Sequence, residues 1–378
     1  MNTLTESKNK RGQAVARRQH LTDILHKAFE DGTYQAGMVL PTEADIMEKH
    51  GMSRHNVRLV LDVLLNEGLI EKTPGRGTVV TGTLQHSKST IVTYVLQSPK
   101  DWLCAGIMQG SNDFFNGSDY RFEFMQSGDL PTEFDACIDR LIDTPPAGII
   151  IMPLPWHDNQ EWVFKLKKAK IPFVIVDSRP FGSNCNSVEM DNRQGGYLAG
   201  KHLIEQGYKH LFCVGYKSTG HTYQLRFEGF MDAVKESIEK IETCMPLYYE
   251  LTNKAERDHV RPWDACQEFW REMVVRLNKS MFPAGVFAGS DIEAYGIMRA
   301  CNELGIEIGK TIGVIGFDDR DLAIMGSPLL SSIRQSPEAI GLKAAERLKT
   351  LIEEGDSECQ HIKLKTELII RESSILKE

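Results

Sequence analysis

The chain has 378 residues, of which 41% are hydrophobic and 25% are charged, the composition of a globular protein rather than a disordered one. The formal net charge of −8 argues against a protein that wraps its whole surface in nucleic acid. The length predicts two or three domains, each able to bury its own core.

The charge is distributed unevenly along the chain. Residues 1–85 contain 11 Lys and Arg against 10 Asp and Glu, whereas the remainder contains 33 against 42. A relatively basic N-terminal part joined to an acidic remainder is typical of a nucleic-acid-binding module attached to a second domain.

The first twenty residues are polar, and no apolar run approaches the ~20 residues that span a bilayer. We therefore expect a cytoplasmic protein without membrane contact. The eight cysteines are scattered without a C-x-x-C pair, so we interpret them as small buried hydrophobic residues. The sequence predicts no metal site and no cofactor.

Residues 1–19 are predicted to form a flexible polar tail, and residues 20–80 a compact unit of helices and a hairpin. A first helix is indicated by apolar residues at helical spacing after His20. Thr42 is predicted to cap a second helix, with Asp45 closing the cap, and this helix ends at Gly51. Ser53 caps a third helix only two residues later. Two short helices joined by so short a turn form a helix-turn-helix.

The third helix has an apolar stripe and an opposite cationic face. The stripe consists of Val57, Val60, Leu61, Leu64 and Leu65. Arg54 and Arg58 lie four residues apart on the other face, near the helix N-terminus, where His55 and Asn56 also begin the helix. A recognition helix presents this end to the major groove of DNA, where arginine donates two hydrogen bonds to guanine.

After Gly68, the runs LIEK and TVV flank TPGRG and predict a β-hairpin with Arg76 at its tip, followed by Gly77. A hairpin beside a helix-turn-helix is a wing, and its arginine can enter the minor groove or pair with a phosphate. The alternative is that the three arginines are merely solvated surface charges. We favour DNA contact because all three occupy contact positions of one complete winged helix.

The stretch LPTEADIMEKHGMSRHNVRLVLDVLLNEGLIEKTPGRGTVV resembles the GntR-type winged-helix DNA-binding domain along its whole length. The shared motifs are LP-[ST]-E, S-R-x-x-V-R, L-x-x-E-G-L-I and G-x-G-T. The resemblance implies DNA contacts from Ser53, Arg54, His55, Asn56, Arg58, Arg76 and Gly77. One departure is Ala44, which stands where many members have a DNA-contacting arginine, so operator sequence or affinity is expected to differ.

Residues 81–90 are polar and predict a linker. From residue 91 to 378, short apolar β-branched runs alternate with helical patterns, which predicts parallel sheets covered by helices on both faces. The fold class is therefore α/β, with two Rossmann-like lobes following the N-terminal winged helix. Ligands of such folds bind beyond the carboxyl ends of the strands, here in the cleft between the lobes.

Polar residues follow several of these strands. Asp177, Asp291, Asp318 and Asp319 come after apolar runs, and Arg226 follows the HLFCVG run and its loop. Carboxylates that accept from adjacent hydroxyls, together with a forked guanidinium, suit a small polyhydroxylated ligand. Aspartate after a strand also caps the next helix, which is the alternative for Asp291 and Asp319.

Aromatic rings can stack on a sugar. Trp102 and Trp156 each follow an apolar run and a loop, and Tyr223 lies just before Arg226.

The segments SVEMDNRQGGYLAGKHLIEQGYKHLFCVG, RFEGF, FAGSDIEAYGIMRACNELGIEIGKTIGVIGFDD and SPLLSSIRQSPEAIGLKAAERL resemble the effector-binding domain of LacI/GalR regulators, a fold related to periplasmic sugar-binding proteins. The resemblance is dense over residues 187–348 and weak over 91–170. It implies effector contacts from Arg226, Asp291 and Asp318, and also from Asp177 and Gln335. Ser290 stands where asparagine is common in the family. The combined layout is that of the AraR group of sugar-responsive repressors, which specifies the architecture but not the sugar.

We therefore expect a transcriptional repressor that acts on double-stranded operator DNA as a homodimer and responds to a small sugar-like effector. An activator remains open from the sequence. An enzyme built on the α/β domain is not favoured, because the sequence has no nucleophile elbow, phosphate loop or H-E-x-x-H motif. A free sugar-binding transport protein is not favoured either, because the DNA-binding unit is attached.

Overall fold

The computed structural model of the chain describes residues 17–29, 32–81, 89–128, 130–154, 160–180, 182–216, 221–249, 267–276, 281–355 and 358–377. The chain divides into two compact units, residues 1–89 and 90–378. The predicted linker falls at this division, and its residues 82–88 lie outside the described residues, as do residues 1–16 of the predicted tail. Residues 17–19, which we assigned to the tail, are helical.

The N-terminal unit is a winged helix-turn-helix, as predicted. Its elements are α1 (residues 17–29), α2 (Glu43–His50), α3 (Arg54–Asn66), β1 (Ile70–Thr73) and β2 (Gly77–Val80). The two strands form an antiparallel hairpin, and Val39 bridges to Val79 beside it. One face of each helix packs into a common core in which Val57 and Leu64 are completely buried. The predicted apolar stripe of α3 is therefore what fixes the orientation of its cationic face.

The second unit contains two six-stranded sheets. In chain order its strands are β3 (Ile91–Leu96), β4 (Arg121–Gln126), β5 (Gly148–Ile151), β6 (Phe173–Val176), β7 (Ser187–Met190), β8 (His210–Tyr216), β9 (Thr243–Tyr249), β10 (Ala284–Ala288), β11 (Ile312–Asp318), β12 (Ser331–Arg334), β13 (His361–Leu364) and β14 (Glu367–Ile369). Its helices are α4 (Trp102–Phe115), α5 (Pro131–Asp143), α6 (Glu161–Lys168), α7 (Asn192–Glu205), α8 (His221–Glu236), α9 (Gln267–Arg276), α10 (Asp291–Glu303) and α11 (Pro337–Glu354).

Each sheet defines one lobe. Lobe 1 has the strand order β13-β7-β6-β5-β3-β4, with every pair parallel. Lobe 2 has the order β14-β12-β11-β10-β8-β9, in which only the edge pair of β12 and β14 is antiparallel. The central strands are buried on both faces, which explains their continuous apolar sequences.

The chain passes between the lobes at three places. β7 of lobe 1 leads into α7 of lobe 2, β12 of lobe 2 leads into α11 of lobe 1, and β13 leads into β14. Two of these connections are bonded to each other, since the Asp191 N–H donates to the Leu364 carbonyl at 2.7 Å. The three connections therefore form a hinge region beside the carboxyl ends of the strands. Within the described residues, no helix has the length and apolarity needed to cross a bilayer.

Candidate functional sites

The turn of the helix-turn-helix is fixed by side-chain caps. The Thr42 hydroxyl accepts from the Asp45 N–H, and the Asp45 carboxylate accepts from the Thr42 N–H at 2.9 Å, which completes the predicted capping box. The Thr42 hydroxyl also donates to the Asp45 carboxylate at 2.7 Å, and this bond, together with that from the Thr42 N–H, lowers the pKa of Asp45. Gly51 ends α2 with φ +62°, a left-handed conformation that favours glycine, and Ser53 caps α3. The N-terminus of α3 is thereby held outward on a rigid turn.

The predicted DNA-contacting residues lie at the surface of this unit. Ser53, Arg54, His55, Arg58, Arg76 and Gly77 are exposed, and Asn56 is half-buried. Arg76 occupies the tip of the β1–β2 hairpin, where its N–H closes the turn on the Thr73 carbonyl at 3.0 Å. Gly75 and Gly77 have φ of +77° and +93°, which explains why the tip requires glycine on both sides of the arginine.

Glu43 is a member of this surface that our prediction did not include. Its carboxylate lies 3.5 Å from Arg54 Nε and 3.1 Å from Arg58 Nε. One carboxylate in the first turn of α2 thus holds both arginines of the recognition helix. The spacing from Glu43 to Arg58 gave no local signal in the sequence, because the contact crosses the turn.

A cavity of about 210 Å³ lies between the two lobes of the second unit. Lobe 1 and its loops contribute Gln97, Asp101, Trp102, Leu103, Met152, Pro153 and Asp177, and lobe 2 contributes Thr222, Tyr223, Arg226, Ser290, Asp318 and Gln335. Five of the six predicted effector residues, Trp102, Asp177, Arg226, Asp318 and Gln335, therefore line one cavity. Trp156, the other tryptophan we considered, lies outside the described residues.

Two aspartates of the cavity have a left-handed backbone. Asp177 follows β6 with φ +67°, and Asp318 ends β11 with φ +122°. Each stands at the carboxyl end of a central strand, one in either lobe. Such backbone conformations cost ~1–3 kcal/mol for a residue other than glycine and cluster at functional sites. The pair marks the cavity as a site maintained at a cost in stability.

Arg226 is the buried cation of the cavity. Its Nε donates to Asn192 Oδ1 at 2.9 Å, and its Nη1 donates to the Gly289 carbonyl. Its guanidinium carbon lies 3.6 Å from the centre of the Phe317 ring, so the side chain is stacked as well as hydrogen-bonded. These contacts fix the guanidinium before any ligand arrives.

The placement of Arg226 depends on close contact between α7 and α8. A Cβ on Gly196 would lie 1.8 Å from the Arg226 carbonyl oxygen, and a Cβ on Gly229 would lie 1.8 Å from the Arg193 carbonyl oxygen. Only glycine permits the two helices to approach this closely. Gly196 in GGYLAG and Gly229 in RFEGF thus help to position Arg226 at the cavity.

The carboxylates of the cavity are electrostatically coupled to this cation. Burial raises the pKa of Asp318 to about 6, while Arg226 and a hydrogen bond from Gln335 Nε2, 2.6 Å from Asp318 Oδ1, act in the opposite direction. Burial also raises the pKa of Asp177, again opposed by Arg226. The Gln335 Oε1 atom is buried and has no hydrogen-bond partner among the described residues. The cavity therefore offers several acceptors around one fixed donor group.

Asp291 is the predicted effector residue that the structure does not bring to the cavity wall described here. It is completely buried, and its carboxylate accepts from the Arg320 N–H at 2.8 Å and from the Ser332 hydroxyl. Ser290, not Asp291, caps α10. The carboxylate of Asp291 thus ties the loop after β11 to β12.

The cavity residues that we did not predict come mostly from lobe 1. Gln97, Met152 and Pro153 follow β3 and β5, where the resemblance to a known family was weak. Asp101 accepts from the Leu103 and Cys104 N–H groups and so caps α4, which places Trp102 at the cavity. Their position just after a strand was the sequence signal that could have identified Gln97, Met152 and Pro153. The prediction used this signal only for charged and aromatic residues. The described residues contain no group of three or more His, Cys, Asp or Glu placed to hold a metal ion.

Each of the two structural units matches a known protein family or domain. Residues 17–80 match the gntR family of bacterial regulatory proteins, and residues 201–374 match a periplasmic binding protein-like domain. The arabinose metabolism transcriptional repressor of Geobacillus stearothermophilus is 26% identical over 342 residues, which cover 89% of this chain and 91% of that protein. The transcriptional repressor PurR of Pasteurella multocida is 30% identical over 239 residues, which cover 62% of this chain and 66% of that protein.

Among solved structures, a LacI family transcriptional regulator from Enterococcus faecium with bound ribose superposes with a TM-score of 0.62. It is 20% identical, and the match covers 76% of this chain and all of that chain. This similarity shows that the second unit has the LacI-type, periplasmic-binding-protein-like fold.

Proposed function

Because the chain joins a GntR-type winged-helix domain to a periplasmic-binding-protein-like domain, we propose that it is a transcriptional repressor whose affinity for operator DNA is controlled by a small sugar. The observation that carries the proposal is the cavity between the lobes, with aspartates from both lobes and a fixed arginine, in the same chain as an exposed recognition helix. A protein that acts on the bacterial chromosome works in the cytoplasm.

The DNA contacts are proposed from exposure and geometry. Arg54 and Arg58 reach outward from the capped end of α3, as a base-contacting side chain must. Arg76 and Gly77 form the tip of the wing, which is placed to meet a phosphate or the minor groove. These arginines provide a local positive charge at the proposed DNA surface, so the net charge of −8 for the whole chain does not oppose binding.

The ligand is proposed to be a monosaccharide. The volume of about 210 Å³ lies below the ~300–1,000 Å³ of pockets for drug-sized molecules, which favours a single ring over an oligosaccharide. Carboxylates accept hydrogen bonds from neighbouring hydroxyls, Arg226 donates in return, and Trp102 offers an aromatic ring. The name of the Geobacillus relative and the ribose bound to the Enterococcus regulator make pentoses the first compounds to test.

Coupling between the sites is proposed to work through the lobes. Asp177 and Trp102 belong to lobe 1, whereas Arg226 and Asp318 belong to lobe 2, so a ligand that binds all four favours one relative position of the lobes. By linkage, whatever factor the sugar applies to operator affinity, the operator applies to sugar affinity.

We propose that the active form is a homodimer, because one small winged helix makes few DNA contacts and a pair can bind two half-sites. Two exposed apolar side chains, Ile324 and Met325, are 58% and 75% exposed and follow Asp318 within seven residues. They offer a surface that can connect the ligand site to a second copy. Met325→Glu is expected to lower the molar mass measured by light scattering; an unchanged dimer would exclude this surface.

The function is tested with the full chain. An operator is first selected from a pool of random duplexes, and its affinity is then measured with and without arabinose, ribose, xylose and common hexoses. We expect one sugar to change operator affinity by tenfold or more, and transcription from that operator to rise when the sugar is present. Turnover of the sugar would support an enzyme instead, and binding of a sugar without any effect on DNA affinity would refute the coupling.

A further inference from the structure

A second cavity lies in the same unit and does not belong to the sugar site. Its volume is about 370 Å³, and its lining consists of Arg179, Gly182, Ser183, Asn184, His221 and His361. None of these residues lines the cavity between Asp177 and Asp318. The proposed sugar therefore leaves this group of side chains unused.

The cavity lies beside two strands that lead into the hinge region. Arg179 and Ser183 belong to the segment that joins β6 to β7, and His361 is the first residue of β13, paired in register with Ser187 of β7. β7 and β13 are two of the strands that lead directly into lobe 2. His221 lies at the start of α8, in lobe 2 itself. A molecule bound here would touch both lobes.

The lining is rich in cationic and N–H groups. Arg179 Nη1 lies 3.4 Å from Nδ1 and 3.3 Å from Nε2 of the His361 ring. Burial lowers the pKa of His221 and of His361, and the positive charges of Arg179 and Lys363 lower both further, while Glu228 raises that of His221. The charges of Arg179 and Lys363 thus make the electrostatic potential at the two imidazoles more positive, which favours an anion there.

Two polar groups at the cavity have only weak partners. Ser183 is 6% exposed, and its hydroxyl has no hydrogen bond among the described residues beyond a weak interaction with the Cys185 thiol. The Arg179 Nε atom is buried and likewise unbonded; the nearest carboxylate oxygen, Glu189 Oε1, is 4.0 Å away and is unbonded too. A buried donor whose only acceptor is weak or distant gains free energy from a better one, so these two groups at a cavity wall favour a ligand that accepts hydrogen bonds.

We propose that this cavity binds a phosphate group, either as inorganic phosphate or as part of a phosphate ester, held by Arg179, Ser183, His221 and His361. A tetrahedral dianion has enough acceptor oxygens for a forked guanidinium, a hydroxyl and two imidazole N–H groups. The Glu189 carboxylate lies 4.0 Å from Arg179 Nε and attracts the guanidinium weakly. A bound phosphate would compete with Glu189 for this guanidinium.

Phosphate at this position would act on the hinge. Because the walls come from both lobes, binding favours one lobe orientation and so changes the affinity of the neighbouring sugar site. This regulatory consequence rests on the proposed function, whereas binding itself does not. The repressor would then respond to two signals, a sugar and the phosphorylation state of metabolites.

The test is calorimetric titration of the full chain with inorganic phosphate, with chloride at equal ionic strength as the control for screening. Ser183→Ala and Arg179→Ala are compared with the native chain, and Lys310→Ala, which removes an exposed charge elsewhere, is the matched control. We expect saturable phosphate binding that weakens at least tenfold in both variants and is unchanged in the control. Equal thermal midpoints for Ser183→Ala and the native chain verify that the fold is intact.

A pentose 5-phosphate and the corresponding free pentose distinguish the sources of the group. Tighter binding of the ester than of inorganic phosphate, lost in Ser183→Ala, assigns the site to a phosphorylated metabolite; equal binding assigns it to phosphate itself. No saturable binding, or binding that both variants leave unchanged, overturns the site. These measurements need no operator, so their outcome is independent of whether the sugar controls DNA binding.

Discussion

The recognition surface and the cleft use charged side chains in opposite ways. Arg54 and Arg58 are 64% and 57% exposed, whereas Arg226 and Asp318 are 4% and 8% exposed. Exposed arginines keep most of their hydration in the free protein, and in the proposed DNA complex their contribution would come from base contacts and from counterions released by phosphates. Buried charges interact strongly with one another and must be oriented beforehand. The first surface is thus suited to a large polyanion, and the second to a small neutral ligand.

The backbone shows the same contrast. Among the described residues, the four non-glycine residues with positive φ are Lys170, Asp177, Asp318 and Asp319, and all belong to the second unit. The winged helix assigns its left-handed positions to glycine and so stores no strain of this kind. The cleft has the features of a site where stability has been exchanged for ligand binding.

The largest effect is expected from Asp318→Asn. Asparagine tolerates the left-handed backbone, but it loses the negative charge that accepts from ligand hydroxyls. Two hydrogen bonds to a charged group are together worth ~3 kcal/mol or more, so sugar affinity should fall by about 100-fold or more. Titration calorimetry measures this, and thermal unfolding should show no loss of stability because a disfavoured buried charge has been removed.

Asp321→Asn is the control for this variant, since it makes the same change three residues away at an exposed position. It should bind sugar as the native chain does. Operator binding without sugar should be intact in both variants. A sugar-responsive Asp318→Asn protein would place the ligand elsewhere and remove the contrast between the two regions.

The next largest effect is expected at the recognition surface. Arg58→Ala should weaken binding to the selected operator by ~1–3 kcal/mol, the value of a lost base contact, and relax the sequence preference at one position. Fluorescence anisotropy with the operator and a scrambled duplex measures both quantities. Lys310→Ala, a loss of charge in the other unit, should leave them unchanged. Equal weakening on both duplexes would make Arg58 a phosphate contact instead.

The two regions also differ in how far the sequence predicted them. Thr42, Asp45, Ser53 and the glycines of the wing act on neighbours a few residues away, so local spacing was enough to predict the winged helix-turn-helix. The cavity is assembled from segments separated by more than 200 residues. Strand-terminal position identified Asp177 and Asp318, whereas Gln335 was identified only through the family resemblance.

Local patterns could not separate two roles that look alike in sequence. Asp291 and Asp318 both follow a buried strand, yet one carboxylate bonds to Ser332 and the Arg320 N–H while the other lines the cavity. The Glu43 contact with Arg58 and the approach of Gly196 to Arg226 are also tertiary, and neither has a periodic signal.

A smaller effect of about tenfold is expected from pH. Burial raises the folded-state pKa of Asp318 from 3.8 to about 6, so the protonated form gains weight as pH falls from 7 to 5. In the proposed sugar site the ionised carboxylate accepts from the ligand, so sugar affinity should drop by up to ~10-fold for each pH unit below that pKa. The contribution of this group to folding has the opposite pH dependence, because a raised acid pKa stabilises the folded state below pH 3.8, and this stabilisation is lost as pH rises from 3.8 to about 6.

Titrations between pH 5 and 7.5 follow this change, and Asp318→Asn is the control, because its residual affinity should lose the dependence. A pH-independent native affinity would mean that Asp318 keeps its proton, or its charge, throughout.

The smallest effect is expected from Glu43→Gln, and it decides what the shared carboxylate does for the arginines. If Glu43 only repels phosphate, its neutralisation should strengthen binding to operator and scrambled duplex equally. If it orients Arg54 and Arg58, binding to the operator should gain less than binding to the scrambled duplex, and we expect this second outcome because one carboxylate contacts both side chains. The specificity ratio, which is the affinity for the operator divided by the affinity for the scrambled duplex, is expected to fall ~2–5-fold, since an exposed ion pair is worth at most ~1 kcal/mol. The matched control is Glu71→Gln, which neutralises an exposed carboxylate on strand β1 of the wing. If both variants have the same specificity ratio, Glu43 only repels phosphate and does not orient the arginines.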